Sequence, residues 1–249
     1  MLKPERQLLI LREVNVHNKV LQADLSELLN VSEDTIRRDL QDLAESGKLK
    51  KVRGGAISNS FQMVGTTELE IYAYAEKTAI ARKAISLFRN GMHILISGGT
   101  TNLEVARLLP PGLKATFLTV SLPVAMQLAR HSDSETLFIG GRISADAQIS
   151  TGGEVIKKLL SISPDLCLLG ANSIDPINGL TDSDWEVVEV KQAMREVSGQ
   201  TAALAISEKL NTSTKMRVCQ LSELQYLITE RPPDDPFLTP FRIPGLTLL

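Results

Sequence analysis

Cysteine and aromatic residues are scarce in this chain of 249 residues. Its two cysteines, Cys167 and Cys219, stand far apart in apolar, strand-like stretches, which predicts buried free thiols and argues against a disulfide or a metal site. No apolar run approaches the ~20 residues of a membrane span, and the mixed charges of residues 1–7 are unlike a signal peptide. We therefore expect a protein of the reducing cytoplasm, with no metal and no membrane partner.

Nucleotide-binding signatures are missing as well. The chain has no Gly-Lys-Ser or Gly-Lys-Thr phosphate loop, and no G-x-G-x-x-G segment follows a strand-like run. We therefore predict that no nucleotide cofactor is bound. With 43% hydrophobic residues and a net charge of -2, the chain is expected to be globular throughout.

Residues 31–43 carry a clear helical pattern. Ile36, Leu40 and Leu43 share one helical face, and Ser32 precedes them as a candidate N-cap. The outer side is polar and includes an Arg-Arg pair, which in most helices is simply solvated. Upstream, residues 20–30 predict a short amphipathic helix that ends in a tight turn. This spacing is typical of a helix-turn-helix.

Downstream of this helix, residues 47–58 alternate apolar and basic residues around Gly54-Gly55, which favours a two-stranded wing. Between residues 37 and 53, six cations face three carboxylates, although the whole chain is weakly acidic. The excess of positive charge is therefore local. The candidate DNA-binding residues are Ser32, Thr35, Arg37, Arg38, Lys48, Lys50, Lys51 and Arg53.

The segments Thr35-Ile36-Arg37-Arg38-Asp39-Leu40 and Arg53-Gly54-Gly55-Ala56 resemble the winged helix-turn-helix of the DeoR family of bacterial transcription regulators. This resemblance implies double-stranded operator DNA as a partner. Arginines of the helix would contact bases, and cations of the wing would contact phosphates. We assign residues 1–58 to this domain and residues 59–74 to a linker.

Residues 75–249 form the predicted second domain, in which helical and strand-like patterns alternate as in a parallel sheet flanked by helices. The loop 97–101 follows a buried strand and opens a helix, so its backbone N–H groups and the helix dipole favour an anion such as phosphate. Glycine pairs at strand ends also occur for geometry alone, and both interpretations remain open.

Other strand ends and helix starts are expected near this loop, because doubly wound sheets bind ligands at the carboxyl ends of their strands. For the helix residues among them, a solvated surface is the competing interpretation. The candidate effector-binding residues are Ser97, Gly98, Gly99, Thr100, Thr101, Ser121, Gly141, Arg142, Glu186, Lys191 and Lys209.

Residues 75–230 resemble the sugar-phosphate-sensing domain of the DeoR family, which is similar in fold to ribose-5-phosphate isomerase. The motif positions that match are Gly99-Thr100-Thr101, Gly140-Gly141, Leu169-Gly170, Gly179-Leu180, Glu186, Lys191 and Lys209. The chain departs from the family at Ser97, Val120 and Ser144, where an acidic residue, an Asn and an Arg are usual. The fold class is thus α/β, a winged helix-turn-helix followed by a larger, mostly parallel sensor domain.

The resemblance implies a repressor of carbohydrate-metabolism genes that responds to a phosphorylated sugar, has no cofactor and assembles as a dimer or tetramer. A sugar-phosphate isomerase or deaminase carrying a helix-turn-helix is the alternative, with Asp182, Asp184 and Glu186 as candidate general bases. The acidic residue missing at Ser97 counts against catalysis. A protein-binding winged helix without a DNA target is disfavoured by the clustered cations.

Overall fold

Three helices and a small antiparallel sheet form the amino-terminal unit of the computed structural model, which describes residues 1–17, 19–58 and 71–249. The chain divides into two compact units, Met1–Tyr72 and Ala73–Leu249. Most of the predicted linker, residues 59–70, lies outside the described residues. The elements of the first unit are α1 Lys3–His17, β1 Lys19–Leu21, α2 Gln22–Leu29, α3 Glu33–Glu45, β2 Lys50–Val52 and β3 Gly55–Ile57.

Helix α3 forms as the sequence pattern predicts. The Ser32 hydroxyl accepts a hydrogen bond from the Thr35 amide at 3.3 Å, which confirms the N-cap. Ile36, Leu40 and Leu43 are buried against α1 and α2. Asn30 ends α2 with a φ of 51°, in the left-handed region that closes the turn before α3.

The sheet of the first unit has the order β1-β3-β2, so the predicted two-stranded wing gains a third strand. Two expectations are wrong here. The pattern of residues 15–19 predicts a loop, but α1 continues to His17, and Val20 lies in β1 instead of the helix predicted over residues 20–30. Val20 pairs with Ala56 of β3. A Cβ at Gly55 would lie 2.0 Å from the Val20 carbonyl oxygen, so this pairing requires glycine there.

One buried ion pair joins α1 to α3. Arg6 Nε donates to Asp39 Oδ2 at 2.5 Å, and Arg6 Nη2 donates to Oδ1 at 3.3 Å. The side chains are 12% and 2% exposed. Because the pair lies directly behind the outer face of α3, it fixes how that helix is presented.

The second unit alternates helices and strands as predicted. Its elements are α4 Tyr74–Ile85, β4 His93–Ile96, α5 Thr100–Arg107, β5 Thr116–Thr119, α6 Leu122–Leu128, β6 Glu135–Phe138, β7 Arg142–Ile143, β8 Ser150–Thr151, α7 Gly153–Leu159, β9 Leu166–Gly170, β10 Ser173–Asp175, β11 Gly179–Asp182, α8 Trp185–Glu196, β12 Gln200–Leu204, β13 Met216–Cys219, β14 Tyr226–Ile228 and β15 Thr247–Leu248.

Seven of these strands form a parallel sheet of order β15-β14-β12-β9-β4-β5-β6. The strands that follow β4 in the chain extend first to one side of it, as β5 and β6, and later to the other side, beginning with β9. The order therefore reverses between β4 and β9. In open α/β sheets, such a reversal leaves a crevice at the carboxyl ends of the two strands.

Two smaller sheets were not predicted from the sequence. An antiparallel sheet of order β10-β11-β13 lies apart from the parallel sheet, and β7 pairs with β8 in a short hairpin. The carboxyl-terminal tail packs on the second unit, because β15 pairs with β14 and both Leu238 and Phe241 are buried. Cys167 and Cys219 are buried free thiols, as expected. No helix in the described part of the chain is long and apolar enough to cross a membrane.

We predict that Asp39→Asn destabilises the first unit by about 3 kcal/mol, because it leaves the largely buried Arg6 guanidinium without its counter-charge. Hydrogen exchange of the α1 and α3 amides in the full chain measures this as faster local opening. Asp42→Asn is the matched control, because Asp42 pairs with Lys3 on the surface. Equal exchange rates in the two variants would contradict the role assigned to Asp39.

Candidate functional site

The outer face of α3 is exposed and cationic. The side chains of Arg37 and Arg38 are 59% and 76% exposed, while the apolar face of the same helix holds it in the core. Thr35 is half-buried, and its hydroxyl is 2.9 Å from that of Ser32. A helix anchored in this way presents its arginines to a partner without unfolding.

The wing lies next to this face of α3. Lys51 of β2 donates from Nζ to Gln41 Oε1 of α3 at 2.9 Å, and a groove of about 400 Å³ separates the two elements. The groove is lined by Lys3, Arg37, Arg38, Gln41, Asp42 and Lys51. Lys48, Lys50 and Arg53 are exposed but do not line it. The structure thus brings both arginines and one wing lysine together.

Lys3 was missed by sequence reasoning. It begins α1, far from the wing in the chain, and its Nζ lies 2.6 Å from Asp42 Oδ2 of α3. Asp42 raises the pKa of Lys3 through a hydrogen bond and its charge, so the ammonium stays protonated. No local pattern links Lys3 to α3, because only the packing of α1 on α3 places it there.

In the second unit, the Gly98–Thr101 loop lies at the carboxyl end of β4, on the switch point of the sheet. Gly99 precedes the first turn of α5 with a φ of 110°, which only glycine adopts without strain. The helix begins at Thr100, and both threonines are buried. Its first amides therefore point toward the end of the strand, with the positive end of the helix dipole behind them.

Close packing, more than backbone freedom, explains the glycine at 98. A Cβ there would lie 2.6 Å from Cγ2 of Ile149, just before β8, and 3.6 Å from Ser121 Oγ. Ser121 is completely buried, and its Oγ has no hydrogen-bond partner among the described residues. A hydroxyl group left in this way next to a helix N-terminus is a donor available to an anion.

Ser97 binds the ends of the two central strands together. Its Oγ accepts hydrogen bonds from the Gly170 amide of β9 and from Asn102 Nδ2 of α5, each at 2.9 Å. Asn102 Nδ2 also lies 3.1 Å from the Gly98 carbonyl oxygen. Ser97 therefore holds the loop in place as a neutral side chain, with no charge to offer a ligand. Asn102 was missed, although a polar residue in the first turn of a buried helix could have indicated it.

Two buried lysines lie at the same edge of the sheet. Lys191 of α8 donates to the Gly170 carbonyl oxygen at 2.8 Å and to Asp182 Oδ2 at 2.7 Å. Lys209 donates to the neighbouring Ala171 carbonyl oxygen at 2.8 Å. A Cβ at Gly170 would lie 2.8 Å from the Gly98 carbonyl oxygen, so the end of β9 touches the Gly98–Thr101 loop. Both lysine amines therefore bind carbonyl groups next to this loop.

The charge of Lys209 is weakly balanced. No carboxylate in the described part of the chain lies within ion-pair distance of its Nζ. Burial lowers the pKa of Lys209 to about 7, and the nearby ammonium groups of Lys77 and Lys191 add to this effect against Asp182. Burial likewise lowers the pKa of Lys77 of α4 to about 8. Lys77 was not identified from the sequence.

The remaining candidates are Gly141, Arg142 and Glu186, each with contacts of its own. Arg142 of β7 forms an ion pair with Glu186 of α8, whose other oxygen lies 3.5 Å from Thr151 Oγ1. A Cβ at Gly141 would lie 2.5 Å from Val155 of α7, so this glycine is required for packing. None of the hydrogen bonds described for Arg142 or Glu186 reaches the Gly98–Thr101 loop.

Both parts of the chain match known families. Residues 6–62 match the DeoR-like helix-turn-helix domain, and residues 72–231 match the DeoR C terminal sensor domain. The chain is 31% identical to the HTH-type transcriptional repressor GlcR of Bacillus subtilis over 100% of its own length and 96% of that protein. It is also 31% identical to the glycerol-3-phosphate regulon repressor of Haemophilus influenzae, over 85% of this chain and 83% of that one.

Among solved structures, ribose 5-phosphate isomerase A of Methanocaldococcus jannaschii aligns with 54% of this chain and 53% of its own, at 16% identity and a TM-score of 0.40. The two family matches together cover nearly the whole chain and agree with the two units of the fold. The resemblance seen in the sequence is confirmed. The chain belongs to the DeoR family of helix-turn-helix transcriptional regulators.

Proposed function

We propose that this protein represses genes of carbohydrate metabolism and that a phosphorylated sugar, bound at the carboxyl edge of its parallel sheet, controls its affinity for operator DNA. The observation that carries the effector assignment is the buried Lys209 amine, which lies at a strand end touching the N-terminus of α5 and has no carboxylate partner among the described residues. A buried cation beside free helix amides is an environment that favours an anion.

The DNA-binding assignment rests on the groove between α3 and the wing. Arg37 and Arg38 are exposed on a helix that its core face anchors, so we assign them to base edges in the major groove. Ser32 and Thr35 stand at the start of this helix, where they suit backbone contacts. Lys48, Lys50, Lys51 and Arg53 project from the wing, and we assign them to phosphates. Lys3 joins this second group.

The effector assignment combines three kinds of donor. Backbone amides at the start of α5 and the unpartnered Ser121 hydroxyl would hold phosphate oxygens, and the Lys209 ammonium would balance their charge. Lys191 keeps Asp182 and the Gly170 carbonyl as partners and would form part of the rim of the effector site. The name of one relative, the glycerol-3-phosphate regulon repressor, supports a phosphorylated carbon metabolite for this chain as well.

An isomerase or deaminase is the weaker hypothesis. Proton transfer from carbon needs a carboxylate that is free to act as a base. Asp182 is paired with Lys191, Asp184 accepts hydrogen bonds from the first amides of α8, and Glu186 is paired with Arg142. The neutral Ser97 stands where the family usually has an acidic residue. We therefore infer a regulator without catalytic activity.

We also propose that the protein works in the cytoplasm as a homo-oligomer, a dimer or a tetramer. One winged unit reads few base pairs, and specific binding of such units depends on paired half-sites. The larger unit would supply the contacts between subunits. Effector binding must then favour one arrangement of the paired DNA-binding units, by no more than its difference in affinity for the two states.

We predict that Arg37→Ala lowers the preference for specific DNA, whereas Lys51→Ala weakens specific and random DNA by the same factor. Loss of a bidentate arginine contact removes about 1–3 kcal/mol of discrimination, but loss of a phosphate contact removes none. Fluorescence anisotropy with DNA from upstream of the protein's own gene and with scrambled DNA gives both affinities. Lys157→Ala, an exposed change in the second unit, serves as control. Identical ratios of specific to random affinity in both test variants would refute these roles.

We predict that affinity for phosphorylated sugars falls as the pH rises above about 7, because an anion prefers the protonated Lys209 and its pKa in the free protein is about 7. Phosphate is already a dianion in this range, so its own titration does not produce the effect. Calorimetric titration of a panel of sugar phosphates between pH 7 and 9 measures the slope. The fluorescence of Trp185, the single tryptophan, offers a second readout.

Lys209→Met should remove both most of the affinity and the pH dependence. Lys157→Met, an exposed lysine of α7, should change neither. The assignment of Lys209 fails if the Met variant keeps the wild-type pH profile. Binding of the matching sugars without phosphate at equal strength would show that the site does not select an anion.

A further inference from the structure

The two exposed arginines of α3 share a single carboxylate. Arg37 donates to Asp34 Oδ1 from Nη2 at 2.6 Å and from Nε at 3.1 Å. Arg38 Nη2 lies 2.6 Å from the other oxygen, Oδ2. Both oxygens of Asp34 are therefore engaged, and both arginines point toward the first turn of the helix.

Helix geometry explains this arrangement. Asp34 precedes Arg37 by three residues and Arg38 by four, and residues at these spacings are neighbours on a helix surface. Arg37 and Arg38 hold the pKa of Asp34 below its usual value, so the carboxylate is charged at neutral pH. All three side chains are about half exposed or more, which leaves them open to exchange with a partner.

The other carboxylates of α3 have different partners. Glu33 accepts a hydrogen bond from Gln22, Glu45 accepts one from Gln41, and Asp39 and Asp42 pair with Arg6 and Lys3 of α1. Among the described residues, Asp34 is thus the carboxylate that meets the arginines assigned to base contacts. It also carries negative charge on the face that would approach DNA.

We propose that Asp34 is a specificity-determining residue, which competes with DNA phosphates for Arg37 and Arg38 and so weakens binding to random DNA more than binding to the operator. This inference rests on the proposed DNA-binding role of α3. Random DNA offers the arginines phosphate oxygens alone, which must displace a carboxylate of similar charge and geometry. A guanine in register offers two fixed acceptors, and these can bind the guanidinium edge that Asp34 leaves unused.

The salt dependence of binding follows from the same competition. With Asp34 beside them, the arginines bring less net positive charge to the phosphates, so fewer counterions leave the DNA and the random complex gains less from their release. Without the carboxylate, both arginines would bind phosphates on any sequence. The protein would then hold random DNA more tightly and gain less from a correct site.

The test measures binding of the full-length protein to two DNA duplexes by fluorescence anisotropy at several salt concentrations. One duplex has a random sequence, and the other is the duplex that the wild-type protein itself selects from a randomised pool. Asp34→Asn should tighten random binding by roughly tenfold and selected binding by no more than about twofold, with a steeper salt slope on random DNA. The ratio of the two affinities should therefore fall by about fivefold.

Glu33→Gln is the matched control. It removes one negative charge from the same first turn, but the Glu33 carboxylate meets Gln22 instead of an arginine. It should change both affinities by similar, small factors. The inference is overturned if Asp34→Asn tightens both duplexes equally, or affects random DNA no more than Glu33→Gln does.

A second comparison tests the route of the effect. In the double variant Arg37→Gln/Arg38→Gln, the further change Asp34→Asn should act no more strongly than Glu33→Gln, because no arginine remains to be released. A tenfold effect in that background would refute the proposed competition. If the wild-type protein binds neither duplex, the proposed DNA-binding role of α3 fails, and this inference fails with it.

Discussion

The contact between the ends of β4 and β9 organises the sensor unit. The Gly98 carbonyl lies so close to Gly170 that a side chain at 170 has no room, and the Ser97 hydroxyl accepts a hydrogen bond from the Gly170 amide. This contact occurs where the strand order reverses, so the loop after β4 and the amines near β9 meet at one edge. If the strands separated here, the start of α5 and Lys209 would no longer lie at one edge of the sheet.

Much of this arrangement was predictable, because local patterns determine it. The 3.6-residue period of the apolar residues correctly predicted that Ile36, Leu40 and Leu43 are buried, and the glycine pair after β4 correctly predicted the loop at the start of α5. The position of Val20 was not predictable, since its short apolar run suits either a helix or a strand. Pairing with Ala56, more than thirty residues away, decided in favour of the strand.

The candidate site was predicted less completely than the fold. Ser97, Ser121 and Lys209 were named from strand ends, which the topology brings together. Ile149 and Asn102 were not, because one reaches the Gly98 loop through an unpredicted hairpin and the other through a turn of helix. Arg142 and Glu186 were also named as effector-binding residues, and in the structure they form an exposed ion pair with each other. A residue's type suggests what it can bind, whereas only its neighbours show whether that capacity is already used.

Solvent exposure separates the arginines of α3 from Lys209 of the second unit. The arginines of α3 are exposed to water, where their ion pairs with Asp34 are weak and exchange easily. A carboxylate at this position can therefore compete with DNA for the arginines without preventing DNA binding. Lys209 is buried, where a paired carboxylate would hold it firmly and exclude a ligand. Burial lowers the pKa of Lys209 to about 7, and no carboxylate among the described residues lies within ion-pair distance of its amine. The exposed and the buried cations thus differ in how their charge is balanced, since Arg37 and Arg38 share the carboxylate of Asp34 and Lys209 donates to a backbone carbonyl oxygen.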